Sequence, residues 1–231
     1  MRSSKWHALG NVYLLVEQAE LTPEQVRAAV EDADGVVQVV SHGHDWAEVV
    51  IWNADGSTAE MSGNGTRIVA RWLADQTGAD EVRVQVGERE VMARIRPDGL
   101  VEQELGPVRV VDRERVAGLE VSPVDVGNPH AVVEGEPDDL ELIGPLLATH
   151  PRFPQGTNVQ VVRVERPGEV TARVWERGVG ETQSSGTSAV AVAAATHGDG
   201  EVLVHFPGGD LRVRLAGDRA YLTGPAERLA P

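Results

Sequence analysis

Two serines carry the chemistry that this chain offers most directly. One lies in Glu60-Met61-Ser62-Gly63-Asn64-Gly65-Thr66, the other in Gln183-Ser184-Ser185-Gly186-Thr187-Ser188. Each Ser-Gly-polar-small step runs into an alanine- and valine-rich segment of helical character, residues 67–74 and 189–195. A small polar residue that opens a helix faces N–H groups with no partner inside the helix, and the positive end of the helix dipole. Such a position binds a carboxylate, and it lowers the pKa of a thiol placed there. Two copies in one chain predict two half-sites for one ligand, as acid/base chemistry on both faces of a carbon requires. Taken singly, either serine reads equally as an ordinary helix N-cap.

Other polar residues stand in turn signatures. These are Gly10-Asn11 after His7, Asn53-Ala54-Asp55-Gly56-Ser57, Gly127-Asn128-Pro129-His130, Gly156-Thr157-Asn158, and the charged, glycine-rich Glu176 to Thr182. Each alone reads as a structural turn. His42 and His44 flank Gly43 without a third ligand at a recognisable spacing, so no metal site is predicted. The acidic run Glu134 to Glu141 reads as a solvated face. Trp52 and Trp175 precede the two serine motifs at matching places, and core packing accounts for them.

Bulk properties narrow the classes. The 231 residues suit one large domain or two lobes. A formal charge of -15 and the lack of a basic stripe argue against nucleic acid as a partner. The absence of cysteine removes disulfides and thiolate metal sites. No apolar run approaches a membrane span and the first residues lack a signal-peptide core, so a cytoplasmic protein is expected. Lys5 is the one lysine, set in a stretch with no cofactor motif, which disfavours pyridoxal chemistry.

The elements that must position the serines are mostly strands. Alternation or apolar runs predict strands at residues 12–16, 35–40, 47–52, 82–86 and 91–95, then at 159–164, 170–175, 202–205 and 211–215, with a terminal strand and turn at 221–226. Thr22-Pro23-Glu24-Gln25 is a helix start that leads to Val30. A short helix is expected near Leu140 to Leu147. Many strands with one central helix in each half predict an α+β protein of two similar lobes. The first would span residues 1–112, completed by 221–231, and the second 113–220.

In their order and spacing these segments resemble the diaminopimelate epimerase family, from Trp6-His7-Ala8-Leu9-Gly10-Asn11 to Leu222-Thr223-Gly224-Pro225-Ala226. The densest similarity lies in residues 53–65 and 175–187. The resemblance implies two pseudo-symmetric lobes, each a mixed sheet curled around a central helix, with the ligand between the paired helix N-termini. It implies a cofactor-free reaction in which one thiolate removes the α-proton of an amino acid and an opposed thiol returns one. By matching position, Asn11, Asn53, Asn128, Asn158, Glu176 and Arg177 would hold the distal groups of the substrate. Gly63-Asn64 and Gly186-Thr187 would offer backbone N–H groups to the α-carboxylate, and His130 and Glu176 would assist the thiols. A homodimer is compatible with the resemblance.

The departures fall at the centre of the chemistry. The family's two catalytic cysteines fall on Ser62 and Ser185. A thiol has an ordinary pKa near 8.5, and an alkyl hydroxyl is many units less acidic. A shortfall of about 5 units corresponds to roughly 7 kcal/mol, or about five orders of magnitude in rate. The family's glycine-rich segment before its second strand appears here as Val30-Glu31-Asp32-Ala33-Asp34-Gly35, and the chain is shorter than expected. Three readings stay open: an epimerase whose thiols were exchanged for hydroxyls, a diverged isomerase or dehydratase using Glu60, Glu176, Glu181 or His130, and a non-catalytic amino acid binder.

Overall fold

The computed structural model describes residues 2–17, 20–30, 32–59 and 61–230; Glu31 and Glu60, named above, lie outside them. The chain divides into two compact units, residues 1–104 with 223–231, and residues 105–222.

The first unit opens with β1 (Arg2–Ala8) and β2 (Asn11–Glu17), paired antiparallel. Leu9 and Gly10 join them, both at positive φ (53° and 81°), as a two-residue hairpin turn of the primed type requires. Helix α1 (Pro23–Ala29) begins at a capping box between Thr22 and Gln25. β3 (Gly35–His42) then lies parallel to β2, and β4 (Trp46–Asn53) antiparallel to β3. The short β5 (Thr58–Ala59) folds back on β4 and leads to α2 (Gly63–Thr77). β6 (Glu81–Val86) returns parallel to β4, and β7 (Arg89–Ile95) and β8 (Val101–Pro107) extend the sheet antiparallel.

Helix α2 touches β1, β2, β4, β6 and β7, so the sheet curls around it. Its Ile68, Val69, Trp72 and Leu73 join Leu15, Val37, Val49, Ile51 and Val84 in one core. Side chains one step along the same strands, Val16 and Val36, face the other way and pack with Val26 of α1 and with Trp52.

The second unit begins with β9 (Arg109–Val110), β10 (Glu114–Val116), β11 (Leu119–Asp125) and β12 (Pro129–Glu134). A 3-10 turn and α3 (Leu140–Ala148) follow, then β13 (Asn158–Arg166), β14 (Glu169–Glu176), β15 (Gly180–Thr182), α4 (Gly186–Thr196), β16 (Gly200–Phe206) and β17 (Gly209–Ala216). β18 (Arg219–Gly224) leads the chain back to the first unit, where β19 (Glu227–Arg228) pairs with β1.

This connectivity repeats the first unit. β11 and β12 are antiparallel, β12 and β13 parallel, β13 and β14 antiparallel, β14 and β16 parallel, and β15 folds back on β14. Helix α4 touches β11, β12, β13, β14, β16 and β17. Its five consecutive residues Ala189 to Ala193 are all buried, as in a helix enclosed on every side. Helix α3 packs on the opposite face, where Leu140, Ile143 and Leu147 meet Val159, Val161 and Trp175. A Cβ on Gly144 would come within 2.9 Å of the Trp175 ring, so glycine allows α3 its close seat.

The strands read from alternation end within two residues of the observed ones. Helix α2 starts four residues before its expected boundary, because Gly63, Asn64 and Gly65 are poor helix formers that the serine cap draws into the first turn. Among the described residues no helix is long and apolar enough to cross a membrane.

Gly35 is a tight point of the first unit. A Cβ there would stand 2.4 Å from the Trp52 carbonyl oxygen and 2.9 Å from the edge of the Tyr13 ring. We expect Gly35→Ala to destabilise the protein by about 1–3 kcal/mol in urea titration. Gly198→Ala, where an added Cβ meets nothing within 4 Å, should change it by less than about 0.5 kcal/mol.

Candidate functional site

Ser62 has extended backbone (φ -138°, ψ 118°) and caps α2: its Oγ accepts from the Gly65 N–H at 3.1 Å. Buried side chains secure the turn from beneath. Gln103 Nε2 donates to the Gly63 carbonyl at 2.9 Å, while Thr66 Oγ1 lies 2.9 Å from both Gln103 Oε1 and the Ser62 carbonyl. The first intrahelical bond runs from Thr66 N–H to Ser62 O, so the Gly63 and Asn64 N–H groups have no acceptor within the helix. Two further groups meet here. The Tyr13 hydroxyl is 3.0 Å from Ser62 Oγ, and Arg67 Nη2 donates to Asn64 Oδ1 at 2.6 Å.

Arg67 is fully buried, and its Nε and Nη1 have no hydrogen-bond partner among the described residues. Burial pulls its pKa down to about 10, opposed by attraction to the Tyr13 phenol. Asn11 follows the β1–β2 turn, which Asp34 ties down: Asp34 Oδ2 accepts from the Val12 N–H at 2.7 Å, and Asp34 N–H donates to Val12 O at 2.8 Å. Asn53 ends β4, exposed, with its Nδ2 on Ser57 Oγ at 3.0 Å.

Ser185 opens α4 in the same extended conformation (φ -147°, ψ 129°) and is buried, but its side chain caps no N–H. Ala189 N–H donates to Ser185 O, which leaves the Gly186 and Thr187 N–H groups outside the helical ladder. His130 lies on β12 in register with Asn158. Its Nε2 is 2.9 Å from Asn128 Oδ1, and its Nδ1 is 3.0 Å from Gln160 Nε2. A carbonyl on one nitrogen and an amide N–H on the other fix the neutral Nε2–H tautomer. Burial pushes the His130 pKa down to about 3.

Asn158 closes the neighbouring loop: Nδ2 donates to Pro129 O at 3.1 Å, and Oδ1 accepts from the Arg177 N–H at 3.0 Å. Glu176 Oε1 accepts from Thr182 Oγ1 at 2.6 Å, and Arg177 Nη1 donates to Gln155 O at 3.1 Å.

In the repeated connectivity Asn11 corresponds to Asn128, Tyr13 to His130, Asn53 to Glu176 and Ser62 to Ser185. The structure gathers Ser62, Gly63 and Asn64 in the first unit. In the second it gathers Asn128, His130, Asn158 and Arg177 through shared hydrogen bonds. Tyr13, Arg67, Gln103 and Gln160 escaped the sequence reading. The one signal for Tyr13 was its place two residues after Asn11, where His130 follows Asn128. His42 packs edge-on against Trp72, with ring centroids 5.2 Å apart.

The buried neutral His130 gives stability a pH dependence of definite sign. The unfolded chain takes up a proton at this side chain near pH 6.5, and the folded chain only near pH 3. Stability should be full above about 6.5 and fall as the pH drops toward about 3. In urea denaturation across that range, His130→Gln should flatten part of this slope.

The sequence model of the diaminopimelate epimerase family matches residues 3–111 and 123–229. A diaminopimelate epimerase from a Synechococcus species is 37% identical over 270 aligned positions, spanning 96% of this chain and 94% of the relative. Another, from Pseudomonas paraeruginosa, is 34% identical over 267, spanning 99% and 97%. With only 231 residues here, a few dozen aligned positions of these relatives have no counterpart. Among solved structures, a PhzF-family phenazine biosynthesis protein from Bacillus anthracis superposes with a TM-score of 0.74 at 12% identity, covering 100% of this chain and 98% of that one. A hydroxyproline epimerase from Agrobacterium vitis does so with a TM-score of 0.65 at 16% identity, covering 99% and 89%. These two establish a shared fold. With the sequence matches running through both serine motifs and nearly the whole length, the chain belongs to the diaminopimelate epimerase family of isomerases.

Proposed function

We propose that this protein inverts the configuration of an amino acid α-carbon of the diaminopimelate class, without a cofactor, using Ser62 and Ser185 where relatives use thiols. The observation that carries this reading is the repeated strand–turn–helix step. Each copy presents a serine at a helix start beside backbone N–H groups that the helix leaves unused. Gly63-Asn64 and Gly186-Thr187 would bind the α-carboxylate and stabilise the charge that develops on it when the α-proton leaves. One serine would take that proton and the other supply one to the opposite face of the carbon.

Asn11, Asn53, Asn128, Glu176 and Arg177 would recognise the distal ammonium and carboxylate groups, with Glu176 and Arg177 supplying the complementary charges. Asn158 is tied to Pro129 and Arg177, so its part would be to hold Arg177 in place. His130 is neutral with both ring nitrogens engaged, so its part would be to orient Asn128. Family membership supports a place in lysine biosynthesis, in the cytoplasm.

The experiment is α-proton exchange of diaminopimelate in heavy water, followed by NMR. The chain as it stands should exchange slowly. Ser62→Cys together with Ser185→Cys should accelerate exchange by at least tenfold, since a thiol closes a pKa gap worth up to about five orders of magnitude. No exchange in either protein would refute the assignment.

A further inference from the structure

A serine hydroxyl cannot rest as an alkoxide, yet Ser62 does not stand alone. The Tyr13 hydroxyl, 3.0 Å from Ser62 Oγ, belongs to the one residue type here whose hydroxyl ionises near the pH range of an enzyme, with an ordinary value near 10. Its seat is built for it. Tyr13 is buried on β2 in register with Gly35 on the parallel β3, and a Cβ on Gly35 would lie 2.9 Å from its ring. Coupled to it electrostatically is Arg67, fully buried, with Nη2 on a neutral amide and with Nε and Nη1 unpartnered among the described residues. A buried guanidinium without a carboxylate is costly unless an anion forms close by. Arg67 and the Tyr13 phenol attract one another, and a mutual attraction that favours the cation favours the phenolate equally.

We propose that Tyr13 is the titrating partner of Ser62, the two forming a proton relay in which Arg67 holds the phenolate. This rests on the epimerase reading above. In the forward step the α-C–H bond breaks and its proton bonds to Ser62 Oγ. The Ser62 proton passes to the Tyr13 oxygen, and the electron pair stays on the substrate as the enolate of its bound carboxylate. The phenolate becomes a phenol, and Ser62 ends as it began. In reverse, the Tyr13 phenol protonates Ser62 Oγ as that oxygen delivers its own proton to carbon. The Gly65 N–H on Ser62 Oγ leaves the serine's single proton free to point at Tyr13.

The second half-site lacks this device. His130 takes the place of Tyr13 there, its ring is engaged by Asn128 and Gln160, and Ser185 caps nothing. Tyr13 is a positioning and relay residue whose charge state governs Ser62. Charged groups among the described residues on the elements around it include Arg67 on α2, Asp34 ahead of β3, bound to the Val12 N–H, and Lys5 and His7 on β1, paired with Asp32 and Glu227. Among these Arg67 alone is buried.

The test combines a spectroscopic titration with exchange. Tyrosinate ultraviolet absorbance of the parent, minus that of Tyr13→Phe, isolates Tyr13 from Tyr221, the one other tyrosine. We expect a Tyr13 midpoint at least one pH unit below that of a free phenol, moving up in Arg67→Met. If Arg67→Met fails to fold, fluorotyrosine incorporated in a Tyr221→Phe background takes its place. It makes the phenol more acidic and should move the rising limb of the exchange–pH profile to lower pH. For the stereoisomer whose α-proton meets Ser62, exchange should rise with pH through the Tyr13 midpoint, and Tyr13→Phe should lose that limb and at least tenfold in rate.

A Tyr13 midpoint at or above that of a free phenol overturns the relay, as does a Tyr13→Phe protein with the parent's profile. A Ser62→Cys/Ser185→Cys protein that exchanges while the parent shows no Tyr13-dependent limb overturns the relay alone. Absence of exchange in both overturns the epimerase reading, and the relay with it.

Discussion

A helix that starts in the interior of a protein must have its first N–H groups satisfied by something outside the helix, and this chain contains two such starts. At α2 the Ser62 hydroxyl takes one N–H, while Gln103 and Thr66 fix the carbonyls of the capping turn from below. The N–H groups of Gly63 and Asn64 are then held in place with nothing in the helix to bond. The curled sheet makes this arrangement rigid. With strands on several sides of one helix, the helix start cannot slide without disrupting a core that includes Ile68, Val69 and Leu73. An anion site formed by fixed donors needs no reorganisation when charge appears, which is the property a proton-abstracting enzyme requires.

The two halves share connectivity but differ in electrostatics. The first sets a phenol on its serine, and that phenol is coupled to a buried guanidinium whose Nε and Nη1 have no partner among the described residues. The second carries, at the positions that match Asn11 and Tyr13, an amide and an imidazole that burial keeps neutral. The proposed relay would put a charge-bearing pair at one half and neutral groups at the other, and so separate their proton affinities. In chemistry that moves a proton on one face and returns one on the other, such a separation assigns each half a preferred protonation state.

Much of the fold was legible because strands in a two-layer packing alternate visibly, as Val82-Arg83-Val84-Gln85-Val86 does. The repeat was legible because both helix starts carry Ser-Gly. What stayed hidden was side-chain partnership over distance. Tyr13 sits in the apolar run Val12 to Val16 and reads there as one more core aromatic, since its hydroxyl partner lies 49 residues on. Arg67 is the first residue of the expected helix, where nothing in the sequence marks it as buried, yet it is fully buried. Gln103 belongs to β8, whose Val101-Glu102-Gln103-Glu104 pattern is too polar to announce a buried strand, although Gln103 itself is fully buried. The strands β11 and β12 were missed because Pro123 interrupts the first and the second has a short apolar run, Ala131 to Val133, behind Pro129 and His130.

The proposed reaction requires that both helix starts that open at a serine, Ser62 and Ser185, serve the same ligand molecule. Backbone amide NMR during titration with diaminopimelate tests this directly. The account predicts that the amide resonances of Gly63 and Asn64 and those of Gly186 and Thr187 shift together and saturate with one common dissociation constant. Shifts confined to one pair, or two pairs saturating at different concentrations, would contradict it.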